Sequence, residues 1–404
     1  MNILPPIDVK ISAMKKVTHW LLILFLFSVP LSQWISIKLL IVLFVVSFFI
    51  KKSFKAKQFL FHFGDILAYL LILILGILYT QDHPSAWRVL ETNFSFLAFP
   101  IVMLKTENIK ESDLHNFLRS FLSGVLLATL ICLINAVFLF INGGSVDLFF
   151  FEQFTSVINI QPIYLAYYII FAITYGLYVL YYKKSSIHSA VIIFLLLYLF
   201  LILMLTGGKT SFISILLVFS FFILKFLVEE SAPIKRITIG LICIMVVCMV
   251  LANSVEKDTH VSSLNDSWER FVLWESAIRA SPDLLWGVGT GDYKDVLNRY
   301  YLAHNLPQYA SESYNSHNQF IQILFTNGIL GVIAILFLVG RPLYLSVKYN
   351  DVFGTLVFFS FLIYGMTEVF LGRYQGIVFF VILHQIFISY YSSLKPSFAS
   401  LKGA

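Results

Sequence analysis

The chain has 404 residues, 59% of them hydrophobic and 12% charged, against roughly 45–50% and 25% in an ordinary soluble domain. With a mean hydropathy of +0.86 and 41 phenylalanines, its apolar surface needs lipid as solvent, which excludes a cytosolic enzyme, a secreted disulfide scaffold and a disordered chain. The net charge of +6 comes mostly from lysines and arginines set in short breaks between apolar runs, a pattern that orients a membrane protein and does not build a nucleic-acid groove.

A spanning helix takes about 20 mostly apolar residues. In chain order, the runs 18–34, 35–51, 59–80, 89–105, 115–142, 161–182, 188–206, 210–228, 237–253, 318–340, 353–371 and 376–392 qualify. They predict an all-α, polytopic membrane protein with about 12 transmembrane helices, organised as one integral membrane domain over residues 1–404. The first run follows Lys15 and Lys16, lacks a small-residue cleavage site and reads as a helix, not as a signal peptide. Basic residues such as Lys51, Lys52, Lys110, Lys183, Lys184, Arg341 and Lys348 fall in the breaks assigned to one side. That side is the inner one, so both termini are expected in the cytoplasm. Cys132, Cys243 and Cys248 sit inside apolar runs and read as small buried hydrophobes.

One connection, residues 254–317, is too long and polar to be a simple turn. It is expected to be an extracytoplasmic loop. Leu264, Trp268, Phe271 and Ile278 can share one helix face, with Asp266 and Glu269 as a capping box and Pro282 closing the helix near Ser281. The reading is an amphipathic helix on or near the outer interface. Arg270 and Arg279 stand nine residues apart on it, about 900° of rotation, so they point to opposite faces. Gly287, Gly289 and Gly291 form a G-x-G-x-G run that follows no strand of a βαβ unit; a turn close to the membrane fits better than a dinucleotide site. A shorter aromatic outer segment covers 143–160. The absence of an internal repeat weakens an inverted-repeat transporter.

Several polar groups fall at the outer rim. Lys209 follows Thr206-Gly207-Gly208 in a tight turn, and Gln161-Pro162-Ile163-Tyr164 opens the sixth run. Glu368 and Arg373 flank the last outer turn, where an ion pair between them is the plain reading. His317-Asn318 begins the tenth run, and Gly328 and Gly331 return to the face of the histidine on a continuous helix. Cations beside an apolar wall suit a lipid-linked diphosphate, since they stabilise charge growing on a departing diphosphate. A histidine among them can activate an acceptor hydroxyl. No H-E-x-x-H motif or close carboxylate pair occurs in the outer loop, so no metal or cofactor is expected.

On these residues the sequence resembles the O-antigen ligase and O-antigen polymerase superfamily of bacterial membrane glycosyltransferases. His317-Asn318, nine residues, Gly328, two residues and Gly331 fit the pattern H-[NSQ]-x9-G-x-x-[GTY] without a gap. Trp286-Gly287-Val288-Gly289-Thr290-Gly291 looks like the glycine-rich stretch of that superfamily, and Arg270 stands where a loop arginine is expected. The Thr206–Lys209 turn is similar to a segment that often ends in Ser-Arg; lysine keeps the charge and loses the bidentate fork. Gln161-Pro162 resembles a segment that often begins His-Pro, and glutamine cannot act as a base.

The resemblance implies a bacterial inner (plasma) membrane enzyme with its site on the outer face. It would take a glycan from an undecaprenyl-diphosphate-linked donor, without a metal and with inversion at the anomeric carbon. The acceptor would be a lipid A-core sugar for a ligase, or another lipid-linked repeat unit for a polymerase. Ligase is preferred because the histidine motif is the ligase-like element; a transporter or flippase for lipid-linked sugars is the rival from another class. The resemblance makes His317 the catalytic base or orienting residue and Arg270 and Lys209 the diphosphate contacts. Arg279, Arg373, Asn318, Gln161 and Tyr164 complete the expected substrate-binding set. The expected partners are donor, acceptor and lipid bilayer, with no nucleic acid.

Overall fold

The computed structural model describes residues 7–50, 55–106, 109–184, 187–206, 209–228, 236, 238–246 and 263–394. Among the described residues the regular structure is helical, with no strand. The first half contains α1 (Ile7–Ser28), α2 (Gln33–Phe48), α3 (Ala56–Ile77), α4 (His83–Thr92), α5 (Ser95–Lys105) and α6 (Glu111–Ile141). A short α7 (Phe151–Thr155) precedes α8 (Pro162–Tyr181), α9 (Ser189–Thr206) and α10 (Lys209–Val228). The long polar connection holds α11 (Ser263–Ala280), α12 (Tyr293–Ala303) and α13 (Pro307–Ser311). The chain then continues as α14 (Gln319–Lys348), α15 (Val352–Gly365) and α16 (Tyr374–Leu394).

By length and composition, α3, α6, α8, α9, α14 and α16 can each cross a membrane, and α2, α15 and residues 211–225 of α10 are shorter apolar helices. Local chemistry sets the ends. Pro30, without an amide hydrogen, stands in the break between α1 and α2. Asp82 caps α4 by accepting from the Ser85 amide at 3.0 Å, and Asp351 caps α15 by accepting from Gly354 at 3.0 Å. Of the expected run 237–253, residues 238–246 are helical and the rest lies outside the described residues. The run 353–371 is helical only to Gly365.

The run 89–105 is not one helix. It divides into the end of α4 and the whole of α5 around Asn93 and Phe94. The Asn93 side-chain amide donates to the Val89 carbonyl at 2.8 Å, the local bond by which asparagine competes with helix continuation. Apolar composition runs through this break, so the sequence hides it.

The chain forms two compact units. One comprises residues 26–33 and 118–268 and is built around α8, which is buried along most of its length. In it the rings of Tyr168 and Phe171 meet Phe121 edge-on at 5.4 and 5.3 Å. The other comprises residues 1–25, 34–117 and 269–404 and packs α14 against α3 and α15, and α16 against α5.

At the centre of this second unit lies a charged cluster. Asp65 of α3 pairs with Arg341 of α14 at 2.8 Å and with His384 of α16 at 2.7 Å. Arg341 also donates to the Phe61 carbonyl and lies over its ring. The Gln385 side-chain amide lies 3.1 Å from His384 Nδ1 and donates to the His62 carbonyl at 3.0 Å. Three helices are thus fixed in register by groups that are costly to leave unpaired away from water. Arg341 was expected in an inner loop; it instead lies inside α14 with a largely covered side chain, because Asp65 holds it there.

Helix α14 carries the second departure from the sequence reading. His317 precedes the N-cap Asn318 with a positive φ of 44°, and Gly328 interrupts the helix at φ 67°, ψ −164°. The single face assigned to His317, Gly328 and Gly331 therefore does not exist, since it required one unbroken helix.

Candidate functional site

The break at Gly328 positions the long loop. An interrupted helix exposes backbone groups that must find other partners. The Phe325 carbonyl accepts from Val288 N–H and the Thr326 carbonyl from Gly289 N–H, both at 2.9 Å, while Ile329 N–H donates to the Leu284 carbonyl at 3.0 Å. The glycine-rich stretch thus takes over hydrogen bonds that α14 surrenders. Only glycine fits the crossing. A Cβ on Gly328 would run into the Leu285 carbonyl oxygen, and one on Gly287 would come within 2.6 Å of the Thr326 carbonyl. Both residues have positive φ, at 67° and 76°.

The same stretch is fastened to α3 and α4. Thr290 Oγ1 donates to the Leu73 carbonyl at 2.8 Å and receives Asn327 Nδ2 at 3.0 Å. The Asp292 carboxylate accepts from the amides of Gln81 and Asp82, the latter at 2.7 Å. The expected turn close to the membrane is therefore a docked crossing between the loop and three helices.

On this anchor the loop builds its own core from Leu273, Ala277, Leu297, Tyr301 and Tyr309, closed by Phe325 of α14. The helix α11 ends at Ala280, as Pro282 predicts. Its buried stripe is a second one, distinct from the expected interfacial face. Leu273, Ser276 and Ala277 are buried, whereas Phe271 and Ile278 are 59% and 41% exposed. The side chains of Leu264 and Trp268 lie outside the described residues, as does the loop segment 254–262. Two apolar stripes run along this helix. The smaller residues fit against the loop core, which leaves the bulky Phe271 and Ile278 outward, where bilayer or another apolar surface can meet them.

Arg270 and Arg279 follow from this geometry. Arg270 lies about 20° around the helix from Ala277, on the inward side, and is half-exposed. Arg279 is on the opposite face, exposed, and pairs with Glu275 at 2.8 Å.

His317 is held by a set of side chains at the start of α14. Asn318 Oδ1 accepts from the amides of Phe320 and Ile321 at 2.9 and 3.1 Å, and its Nδ2 donates to the Met366 carbonyl at 3.0 Å. The next residue, Gln319, accepts the Leu371 amide at 2.8 Å. These two bonds tie the turn after α15 to the head of α14 and deliver Glu368 to the imidazole. Nδ1 of His317 lies 3.2 Å from Oε2 of Glu368, with 31% and 12% of the two side chains exposed. The backbone N–H of His317 donates to Asn315 Oδ1 at 2.8 Å, and the Tyr314 ring centroid is 5.6 Å from the imidazole.

Glu368 therefore faces His317, not Arg373. Arg373 is exposed and close enough to Tyr293 to act on its hydroxyl electrostatically. Burial pushes the hydroxyls of Tyr293, Tyr301 and Tyr309 above the ordinary tyrosine range, so they remain neutral near pH 7.

The carboxylate–imidazole pair has a defined chemistry. When Nδ1 carries the proton donated to Glu368, the lone pair rests on Nε2, which can accept a proton. A buried carboxylate then stabilises the imidazolium that forms. Glu368 was missed as the partner because it is distant in sequence and the turn that carries it is positioned by Asn318 and Gln319. Asn318 itself is buried in capping and in the bond to Met366.

The remaining expected site residues belong to the other unit. Lys209 opens α10, and its side chain lies outside the described residues. Gln161 is the N-cap residue of α8, and Tyr164 is buried within that helix's packing. Among the described residues no cluster of three His, Cys, Asp or Glu is arranged to hold a metal ion.

Residues 193–336 match the family model described as O-antigen ligase. The matched segment, about a third of the chain, supports the O-antigen ligase superfamily, and it contains Lys209, Arg270, the glycine-rich stretch, His317 and Gly328. No curated protein matches the chain. The family implies a glycosyl-transferring enzyme of the ligase or related polymerase type, and the several apolar helices long enough to cross a bilayer support a multi-pass membrane protein.

Proposed function

We propose that the protein transfers a glycan from an undecaprenyl-diphosphate-linked donor to an acceptor hydroxyl at the outer face of the inner membrane. A lipid A-core acceptor, hence a ligase, is the preferred form. The observation that carries the reading is the Glu368–His317 pair, its histidine inside the segment that matches the O-antigen ligase family. The topology proposed with it has about 12 spans, both termini in the cytoplasm and the 254–317 loop outside.

In this mechanism Nε2 of His317 takes the proton of the acceptor hydroxyl as its oxygen attacks the anomeric carbon. The bond from that carbon to the diphosphate oxygen breaks, and the undecaprenyl diphosphate leaves with the electron pair. Attack opposite the leaving group inverts the anomeric centre, and no metal takes part. Glu368 holds the imidazole and balances the imidazolium. Arg270 and Lys209 receive the diphosphate charge; Arg279 and Arg373 add weaker contacts. Gln161 and Tyr164 complete the proposed substrate-binding set, and Asn318, engaged in its own bonds, serves it by holding the head of α14.

Purified protein offered an undecaprenyl diphosphate glycan with either lipid A-core or a second lipid-linked repeat unit tests the proposal. Product on lipid A-core alone marks a ligase, and product on the repeat unit alone marks a polymerase. No product on either, with intact donor and folded protein, refutes the transferase reading. The Asp65–Arg341–His384 cluster is the observation a flippase reading draws on, and donor translocation in proteoliposomes without glycan transfer would favour it.

A further inference from the structure

A second site lies at the opposite end of the unit that carries His317. There α1, the turn before α6 and the first turns of α6 enclose a cavity of about 370 Å³, within the range of small-molecule sites. Its polar wall carries Lys15, Lys16 and Lys110, with His19 beside them. Among the described lining residues the one carboxylate is Asp113, which accepts the Lys110 backbone N–H at 3.0 Å. That bond closes the first turn of α6, whose amino-terminal end adds positive partial charge. The floor is apolar: Leu22, Ile109 and Phe117 are buried, and the His19 ring packs on Phe117 at 5.0 Å.

The position is fixed by α16. Its Ser393 hydroxyl lies 2.9 Å from the Ile109 carbonyl, while its other end adjoins the turn that carries Glu368. The 21 residues of α16 span about 30 Å, close to one hydrocarbon thickness. The cavity therefore stands at the other membrane face from the imidazole and is no part of that site.

A cavity lined by three lysines over a packed apolar floor, set at a membrane face, fits an anionic headgroup. We propose that this cleft binds the phosphate headgroup of an anionic phospholipid, whose acyl chains stay in the adjoining bilayer. A lysine ammonium attracts a phosphate as a point charge without demanding one geometry. Asp113 limits the affinity by opposing the same charge. The inference is independent of the transferase reading, since none of these residues belongs to it.

The test is native mass spectrometry of the full-length protein with phosphatidylglycerol or phosphatidylcholine of equal chain length, with inorganic phosphate as competitor. Phosphatidylglycerol should be retained about tenfold over phosphatidylcholine, a difference of about 1.4 kcal/mol, and millimolar phosphate should not displace it. Combined Lys15→Ala, Lys16→Ala and Lys110→Ala should abolish the preference, while Lys348→Ala, outside the cleft, should preserve it. Asp113→Asn should raise retention, a gain that misfolding cannot produce. Equal retention of the two lipids, or a preference that survives the triple substitution, would overturn the site. Displacement by millimolar phosphate would overturn the lipid as its ligand.

Discussion

Replacing Gly328 by alanine probes whether the helix break holds the long loop in place. The added methyl meets the Leu285 carbonyl oxygen and lies within 2.7 Å of the Trp286 nitrogen. The backbone at φ 67°, ψ −164° belongs to a region essentially reserved for glycine, worth about 1–3 kcal/mol of strain for another residue. Relief requires parting the crossing, which costs the bonds of Val288, Gly289 and Ile329, each about 0.5–1.5 kcal/mol net. The three bonds set a cost of about 1.5–4.5 kcal/mol, and it falls on loop docking, because α14 can reform its own ladder once alanine is helical. Hydrogen exchange is the assay. The amides of Val288 and Gly289 should exchange at least roughly tenfold faster in Gly328→Ala, at about 1.4 kcal/mol per tenfold, while central amides of α16 stay protected. Glycan transfer should fall in parallel, since α11 and the approach to His317 depend on the same anchor. Unchanged exchange at Val288 and Gly289 would refute the reasoning, whatever happened to activity.

Glu368→Gln should lower transfer about ten- to a hundredfold in a folded protein, from about 1.5–3 kcal/mol for a hydrogen bond to a charged group; wild-type rates would remove Glu368 from the mechanism. Arg270→Ala should reduce donor use more than Arg279→Ala, because Arg270 faces inward and Arg279 is exposed beside Glu275; equal losses would contradict that assignment. Asp65→Asn leaves Arg341 without its carboxylate and should cost about 3–5 kcal/mol, read as a lower thermal midpoint that Arg341→Met partly restores; an unchanged midpoint would show that the cluster does not hold α3, α14 and α16 together. Ser311→Cys, at an exposed loop position in a cysteine-free background, should react with an impermeant maleimide from outside intact cells. Labelling only from the cytoplasmic side would invert the proposed topology.

The long apolar runs were legible because length and composition alone decide whether a segment can span lipid. The helix end before Pro282 was legible as local chemistry. The division of 89–105 was not, since one asparagine side chain turns the backbone where the apolar pattern runs on. Nor was the break at Gly328. A G-x-x-G spacing on a helix reads as close packing, and only the carbonyls taken by Val288 and Gly289 show that the glycine is there to let the helix open. On α11 the bulky face that includes Phe271 and Ile278 was legible, whereas the second stripe of Leu273 and Ala277 against the loop core was not. His317 was found from its motif, but its partner was not. Glu368 reaches the imidazole through bonds from Asn318 and Gln319 to a turn on the far side of α15, a relation that no periodicity records. The Asp65–Arg341–His384 cluster was hidden for the same reason, being assembled from three helices distant in sequence.

The central claim is that the Nε2 of His317, set by Glu368, takes the acceptor proton. Its most direct test is the single-turnover rate of glycan transfer from an undecaprenyl diphosphate donor by purified wild type and His317→Ala in the same bilayer, with donor binding measured alongside. The account predicts that the variant remains folded and binds donor, yet transfers at least about a hundredfold more slowly, so that donor accumulates. Transfer at the wild-type rate would contradict it.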